Sequence, residues 1–430
     1  MKEYWDNMPV QINNLKEYNQ ILTHSELLIK INSMIDKSNI QLDYKVYKNN
    51  INNIYKEFTD FINSNYIISD TNSVIYSYDL IDYYCNNNSL LIEFYAKGTT
   101  KIIGYIVGKK QNLFIYNNYI NTIEVNFLCI IPKLRNINMA TYLINVLTRE
   151  TVINYNIATA HYTVARNINS PHFSEKKYYH RLINIKTLQN AEFLNSKEDT
   201  EMCINIFNKF YYTNDFNKIH LLEYYNNNNI KNYDITVIKE LYEMMICYYK
   251  KIFKIFHNIS FNEFYNTFTN NSFYHFIIKK DNNIISYLCF FKLESINNLK
   301  NEKYVNGYLY NMFFNDMKNN DNNIVDTNDN NIVDTNDNNI VDTNDNNNIV
   351  DTNDNNIVDK INIDKIINSL ELVNEYIYNN NIFDVVTILD IFDFDYNKIN
   401  LICGSGLLRY YFFNTNISIT NNNLNQLITI

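Results

Sequence analysis

A chain of 430 residues with 46% hydrophobic content, 38 Tyr and 26 Phe is long enough for two or three domain-sized units with sizeable cores. Its net charge of −9 excludes a general nucleic-acid binder and suits a cationic partner, such as an amino terminus or a basic peptide. Cys85, Cys129, Cys203, Cys247, Cys289 and Cys403 have no CxxC spacing, so they read as reduced thiols of a cytosolic protein, not as a metal site or a disulfide framework.

In chain order, Met1-Lys2-Glu3 does not open a signal peptide, and no apolar run is long enough for a membrane helix, so a soluble intracellular chain is expected. Lys2–Val10 (KEYWDNMPV) holds the only Trp, Trp5, and by itself reads as an arm pinned by one aromatic. Ile54–Asn72 predicts a helix and then a loop. Ser73–Tyr78 (SVIYSY) predicts a strand whose Tyr76 and Tyr78 either pack a core or line a groove. Leu90–Gly108 predicts two strands about a turn at Lys97-Gly98.

The most informative stretch is Ile123–Ala140, IEVNFLCIIPKLRNINMA. Ile123, Val125, Phe127, Cys129 and Ile131 alternate with Glu124, Asn126 and Leu128, the period of a strand. Pro132 removes a backbone donor and ends the pairing. Ala140, Leu143, Ile144 and Leu147 then recur at helical spacing. A strand, a short loop carrying Lys133 and Arg135, and a helix N-terminus make an anion site, because unpaired amides and the helix dipole point at the same place.

Further on, Ala158–Ala165 predicts a strand and Ile235–Phe256 a helix, with Leu241, Met244, Met245, Tyr248 and Tyr249 on one side. Ser260 and Glu263 form a capping box for the helix that follows. IVDTNDNN then repeats from Ile324, Ile332, Ile340, Ile349 and Ile357, a period of eight with one nine. Each unit has too few apolar groups to offset its ordering entropy, so a disordered acidic loop is expected. A calcium-binding β-roll would need glycines that the repeat lacks. Asn416–Ile430 ends the chain as a short strand.

Asn126-Phe127-Leu128-Cys129, Lys133-Leu134-Arg135 and Ala140 resemble the hallmark strand and phosphate loop of the N-myristoyltransferase (glycylpeptide N-tetradecanoyltransferase) family, roughly E-I-N-F-L-C-V-H-K-K-L-R-S-K-R-x-A. Further blocks follow in the family's order. KEYWDNMPV is similar to Y-x-F-W-D-x-Q-P-V, ATAHYTVA to A-V-Y-T-A-G, and KYYHRLINIKTL to R-Y-W-H-R-S-L-N-x-K-K-L. NIFDVVTILDI resembles G-F-D-V-F-N-A-L-D-L, and GSGLLRYYFFN resembles G-D-G-N-L-Q-Y-Y-L-Y-N. Departures are Asn136-Ile137-Asn138 for S-K-R, which loses two cations, Ile68-Ser69-Asp70 for three acids, and Ser405 for Asp.

The resemblance implies an α/β fold of two GNAT-like acyltransferase halves about a pseudo-twofold, with a mixed sheet flanked by helices. Residues 1–189 would be the acyl-CoA half and 190–430 the peptide half, with a low-complexity insert at 320–360. The implied reaction moves a myristoyl group from myristoyl-CoA, a co-substrate and not a resident cofactor, to an N-terminal glycine. Backbone amides of Phe127 and Leu128 would form the oxyanion hole, and the carboxylate of Ile430 would be the general base.

The coenzyme would lie against Glu3, Tyr4, Trp5, Leu128, Cys129, Ile130, Arg135, Asn136, Asn138, Met139 and Ala140. The peptide would meet Asn126, Thr163, Tyr76, Tyr78, His180 and Ser405, with Asn126 and Thr163 steering the amine. No metal, nucleic acid or stable membrane insertion is expected, and a monomer is. The alternatives are a homologue that binds acyl-CoA or peptide without efficient turnover, and an acetyltransferase of the wider GNAT class, in which the second half would have no use. Deletion of Asn320–Asp359 is expected to leave the melting temperature and activity almost unchanged, and a large fall in melting temperature would show the insert to be structural.

Overall fold

The computed structural model describes residues 10–13, 19–48, 52–66, 72–85, 88–135, 138–166, 168, 170–194, 199–212, 216–227, 234–315, 363–392, 394–418 and 425–427. Glu3, Tyr4, Trp5, the Ile68-Ser69-Asp70 loop, Asn136, the repeat and Ile430 lie outside the described residues. The chain opens with β1 (Val10–Asn13), β2 (Asn19–Gln20) and α1 (His24–Asp36). It continues through β3 (Leu42–Lys48), α2 (Asn52–Asn65), β4 (Asn72–Ile75), α3 (Tyr78–Cys85), β5 (Ser89–Ala96), β6 (Ile102–Ile115), β7 (Asn118–Ile130), α4 (Met139–Tyr155), β8 (Ala160–Val164) and β9 (Ser174–Leu182).

Three short helices follow, α5 (Ile185–Asn190), α6 (Thr200–Phe207) and α7 (Phe216–Ile219), and then the order of elements repeats. The second pass is β10 (Leu221–Tyr225), α8 (Ile235–Ile252), β11 (Ile255–His257), α9 (Phe261–Phe268), β12 (Phe273–Lys280), β13 (Asn283–Asn297), β14 (Glu302–Phe314), α10 (Ile363–Asn379), β15 (Val385–Leu389) and β16 (Leu401–Phe413). β17 (Thr415–Ser418) and β18 (Asn425–Gln426) end the described chain.

Pairing repeats as well. β5, β6 and β7 form an antiparallel meander, and α4 carries the chain over to β8, parallel to β7. β12, β13 and β14 do the same, and α10 leads to β15, parallel to β14. Parallel neighbours need such a crossover, which explains why a helix stands at both places. The halves then exchange strands: β9 pairs with β15, β16 pairs with β8, and β9 and β16 pair antiparallel at the centre. A second exchange lays β4 on the end of β13 and β11 on the end of β6. Read from the β9–β16 ladder outward, both sides give the same strand order, which is a pseudo-twofold. The fold is α/β, two similar halves sharing one mixed sheet flanked by helices.

Helices on the sheet explain why its strands are apolar on both faces: Ser89–Tyr95 is buried throughout. The main core mixes the halves, with Phe58, Tyr105 and Phe127 beside Phe264, Phe290 and Leu370. A second cluster seats Leu143 and Leu147 of α4 on Ile92 and Ile106. Glycine makes that seat possible. A Cβ at Gly108 would lie 2.9 Å from Leu147 Cδ1, so the helix could not approach at its present distance.

Local chemistry sets several boundaries. The capping box at Ser260 and Glu263 is formed, each backbone N–H donating to the other's side chain at 3.1–3.2 Å. α8 stops at Ile252, short of the expected Phe256, because Ile255–His257 is drawn into the ladder with β6. The strand expected over Ser73–Tyr78 ends at Ile75, and Tyr78 instead starts α3, where Ser77 Oγ accepts the N–H of Leu80 at 3.1 Å. Of the expected C-terminal strand, Asn416–Ser418 pair with β1 and Asn425–Gln426 with β11. Among the described residues no helix is long and apolar enough to cross a membrane.

Arg181 is a fully buried side chain of β9. Its guanidinium donates to the carbonyls of Ile399 at 2.6 Å and Lys209 at 2.7 Å and lies 3.8 Å from the Glu371 carboxylate, so one residue ties β9 to three segments of the second half. Burial pushes Glu371 up to about 7 although Arg181 draws it down, so the pair is held by its hydrogen bonds as much as by charge. Arg181→Ala strands a buried carboxylate and two carbonyls. It is expected to cost about 3–5 kcal/mol in urea unfolding, and a loss below about 1 kcal/mol would show the pair to be incidental.

Candidate active site

The site is built on an irregularity in β7. Tyr105 faces Cys129 and Val107 faces Asn126, so Phe127 and Leu128 together oppose Ile106 alone, a β-bulge. Phe127 takes φ +50°, a left-handed conformation that costs a residue with a side chain roughly 1–2 kcal/mol. Its ring offsets that cost by packing edge-on against Phe58, Tyr76 and Tyr84, at centroid distances of 5.8, 5.2 and 5.1 Å. The Phe127 N–H donates to Oδ1 of Asn126 at 2.8 Å. The expected oxyanion donor is therefore engaged by the neighbouring side chain, and a substrate oxygen reaches it only once Asn126 rotates away.

Beside the bulge, between β7–β8 and α4, lies a cavity of about 220 Å³. The period of two puts Ile123 and Val125 of β7 and Ala160 and Tyr162 of β8 on its wall, and helical spacing adds Ala140, Ile144 and Leu147. Asn126, Phe127, Leu128, Ala140 and Thr163 all line it, so five residues expected in the site meet there. Tyr66, Ile144 and Tyr162 also line it and were not among the residues expected in the site.

The loop after β7 makes one 3-10 turn, Pro132–Leu134, and α4 starts after Asn138 at φ +58°. Asn138 makes no side-chain capping bond, which suits a helix end that receives an anion. Arg135 departs from expectation. Its guanidinium turns inward, donating to the carbonyl of Ile130 at 2.9 Å and to that of Asn65, so it braces the end of β7 against α2. Cys129, Ile130 and Met139 are buried in the core clusters, which leaves their backbone as what they can offer a coenzyme. Burial pushes the Cys129 thiol up to about 11, the wrong direction for an acyl carrier.

A second group gathers along β9 and β16. Tyr76 has its backbone clamped by the Asn63 amide at 2.8 and 3.0 Å and its ring against Tyr66. Burial, then the nearby Tyr66, Tyr308 and Tyr178 hydroxyls, push its own hydroxyl well up. His180 stacks on Tyr178, its Nδ1 lies 2.9 Å from Thr387 Oγ1, and burial lowers it to about 4, so it is neutral near pH 7. A Cβ at Gly404 would lie 2.6 Å from His180 Nε2; glycine lets β16 lie on the imidazole and present the exposed Ser405 beside it. Tyr78 lies apart from this group, at the exposed start of α3 with Asp82 and Asp79 as neighbours, because α3 begins where a strand was expected.

The fold is thus two repeats of meander, helix and parallel strand, with the bulge of one repeat opening on a cavity below a helix N-terminus. Residues 29–174 match the family model described as myristoyl-CoA:protein N-myristoyltransferase, N-terminal domain. Over this stretch the chain is similar to the N-myristoyltransferase family. It is 36% identical over 98 residues to glycylpeptide N-tetradecanoyltransferase of Kluyveromyces lactis, 23% of this chain and 22% of the relative. To the Plasmodium falciparum protein of the same name it is 28% identical over 170 residues, 37% and 40% of the two chains. The matches thus span less than half the length of these relatives. Similarity of fold reaches further: Saccharomyces cerevisiae N-myristoyltransferase with bound myristoyl-CoA superimposes with a TM-score of 0.69 at 18% identity, covering 97% of this chain and 93% of the other.

Thiol chemistry offers a direct check of the site's interior. Cys247 and Cys403 are exposed, whereas Cys129 is buried with a raised pKa. Iodoacetamide at neutral pH followed by peptide mass mapping is expected to modify Cys247 and Cys403 first and to leave Cys129 protected. Early labelling of Cys129 would mean that the bulged strand is open to solvent.

Proposed function

We propose that this protein transfers a myristoyl group from myristoyl-CoA to the N-terminal glycine amine of other proteins in the cytosol. The observation that carries the reading is the bulge at Asn126–Leu128, set between an apolar cavity and the N-terminus of α4. The acyl chain occupies the cavity and the pyrophosphate takes the α4 amides, with Lys133 nearby in sequence. Rotation of Asn126 exposes the Phe127 amide, which with that of Leu128 receives the thioester oxygen as it gains charge. One such donor contributes about 2.7–4 kcal/mol to the barrier.

The amine, steered by Asn126 and Thr163, attacks the thioester carbon. The C–S bond breaks, and the coenzyme leaves as a thiolate that takes up a proton. The carboxylate of Ile430 accepts the proton that the glycine ammonium must first lose. Tyr76, His180 and Ser405 line the path of the peptide, so residues 1–189 serve mainly the acyl-CoA and 190–430 the peptide. The acidic charge of the chain suits a substrate with a free amino terminus.

Purified protein incubated with acyl-CoAs of several lengths and a Gly-initiated peptide is expected to release free thiol in step with acylated peptide, fastest near fourteen carbons. Acyl-CoA binding with no acylated peptide would replace the transferase with a binding protein. A short peptide fused after Ile430 is expected to lower the single-turnover rate by roughly 10²–10⁴-fold and leave acyl-CoA affinity intact. An unchanged rate would remove Ile430 from the mechanism.

A further inference from the structure

Three side chains on the other face of β7 and β8 have no part in acyl transfer. Glu124 and His161 are directly paired across the β7–β8 ladder, and His257 reaches them from β11, which the second half contributes. They are 2%, 1% and 7% exposed. One ligand atom of each, a ring nitrogen or a carboxylate oxygen, lies within 4.8 Å of the others. Glu124 Oε2 accepts the Gln111 amide N–H at 3.1 Å, which orients the carboxylate, the Tyr84 hydroxyl also lies against that carboxylate, and His161 Nδ1 has no hydrogen-bond partner. Buried polar atoms are seldom left so.

The other ring nitrogens are spaced to share a ligand. His161 Nε2 and His257 Nε2 are 3.3 Å apart. Two nitrogens, each about 2.0–2.1 Å from a tetrahedral zinc, lie about 3.3–3.4 Å from one another. Burial holds both imidazoles neutral, the form that ligates: His257 falls to about 3 and His161 well below its ordinary value. The same burial pushes Glu124 up to about 7, against the pull of Lys109, so a cation at Oε1 would hold it ionised. The Lys109 ammonium has partners of its own, Glu263 at 3.7 Å and the rings of Tyr83 and Tyr84.

We infer that Glu124, His161 and His257 bind a divalent ion of the zinc class, with water in the fourth position. Two histidines and one carboxylate are a zinc ligand set, and the hydrogen bond from Gln111 is of the kind that fixes such a carboxylate. The ion joins β11 of the second half to β7 of the first, two residues from Asn126, so its work is to hold the bulged strand. No step of acyl transfer passes through it.

The full chain, stripped with chelator and dialysed, is titrated with Co²⁺ and then with Zn²⁺. The expected result is one equivalent of Co²⁺ giving the visible bands of a tetrahedral nitrogen–oxygen site, displacement by Zn²⁺, and a melting temperature raised by several degrees. Glu124→Gln and His257→Gln, each checked for native circular dichroism, should lose both bands and shift. Absence of bands and of retained zinc in the unaltered chain would overturn the site and leave the histidines sharing a hydrogen bond. Bands persisting in a folded variant, or thiolate-to-cobalt charge transfer in the unaltered chain, would overturn it equally by placing the ion elsewhere, and the second needs no variant to fold.

Discussion

At the centre of the sheet, β9 of the first half and β16 of the second run antiparallel, and each then takes its other partner from the half it does not belong to. That exchange couples the two repeats. Neither has a complete sheet without the other, since β8 would lack β16 and β15 would lack β9. Arg181 pins β9 from inside, and the Gly404 backbone on His180 pins β16 from the surface. Thr163 is paired opposite Tyr410, and β8 is held beside β7 by Ile123 opposite Ala160 and Glu124 opposite His161. The substrate groups are thus placed by strand pairing, which is stiffer than a loop.

Both repeats have a bulge, and that of β7 opens on the cavity. In β14 the register slips between Cys289 and Phe290, so Tyr310 is the extra residue. Its ring is buried against Tyr83, Phe273 and Phe291, and its hydroxyl lies 3.3 Å from that of Tyr83. In β7 the extra residues are Phe127, turned into an aromatic cage, and Leu128, which faces the cavity. Filling the bulge with aromatic side chains turns it into core; leaving a small helix residue such as Ala140 opposite keeps it a site. The cavity therefore belongs to the first half, where the bulge is left open.

Strain is stored where it is used. Phe127 in a left-handed conformation and Asn138 in another flank the stretch that would hold thioester and phosphate. Each is fixed by surrounding packing, Phe127 by three rings and the start of α4 by Met139 in the cluster under the helix. Arg135 adds to this by bonding backbone carbonyls on both sides of the loop, so its charge organises the site from within.

The sequence by itself determined the elements whose signals are local. The strand through Ile123–Ile130, the helical spacing from Ala140, the turn at Lys97-Gly98 and the capping box at Ser260 all reappear, because each depends on geometry between near neighbours in the chain, although the bulge at Phe127 swaps the faces that the alternation assigned after Val125. The ordered blocks of family resemblance carried the fold as well. Tertiary structure alone decided the rest. Tyr78 went into a helix because Ser77 could cap it, and Ile255–His257 left the helical register because β6 offered ladder partners. Asn126 closed on the Phe127 amide, and Arg135 turned inward, choices of rotamer that no periodicity encodes. Glu124, His161 and His257 have no spacing that marks them as a set; 96 residues separate the histidines. They meet because strand exchange carries β11 onto the other half's meander, and a contact made by long-range pairing leaves no period in the sequence that makes it.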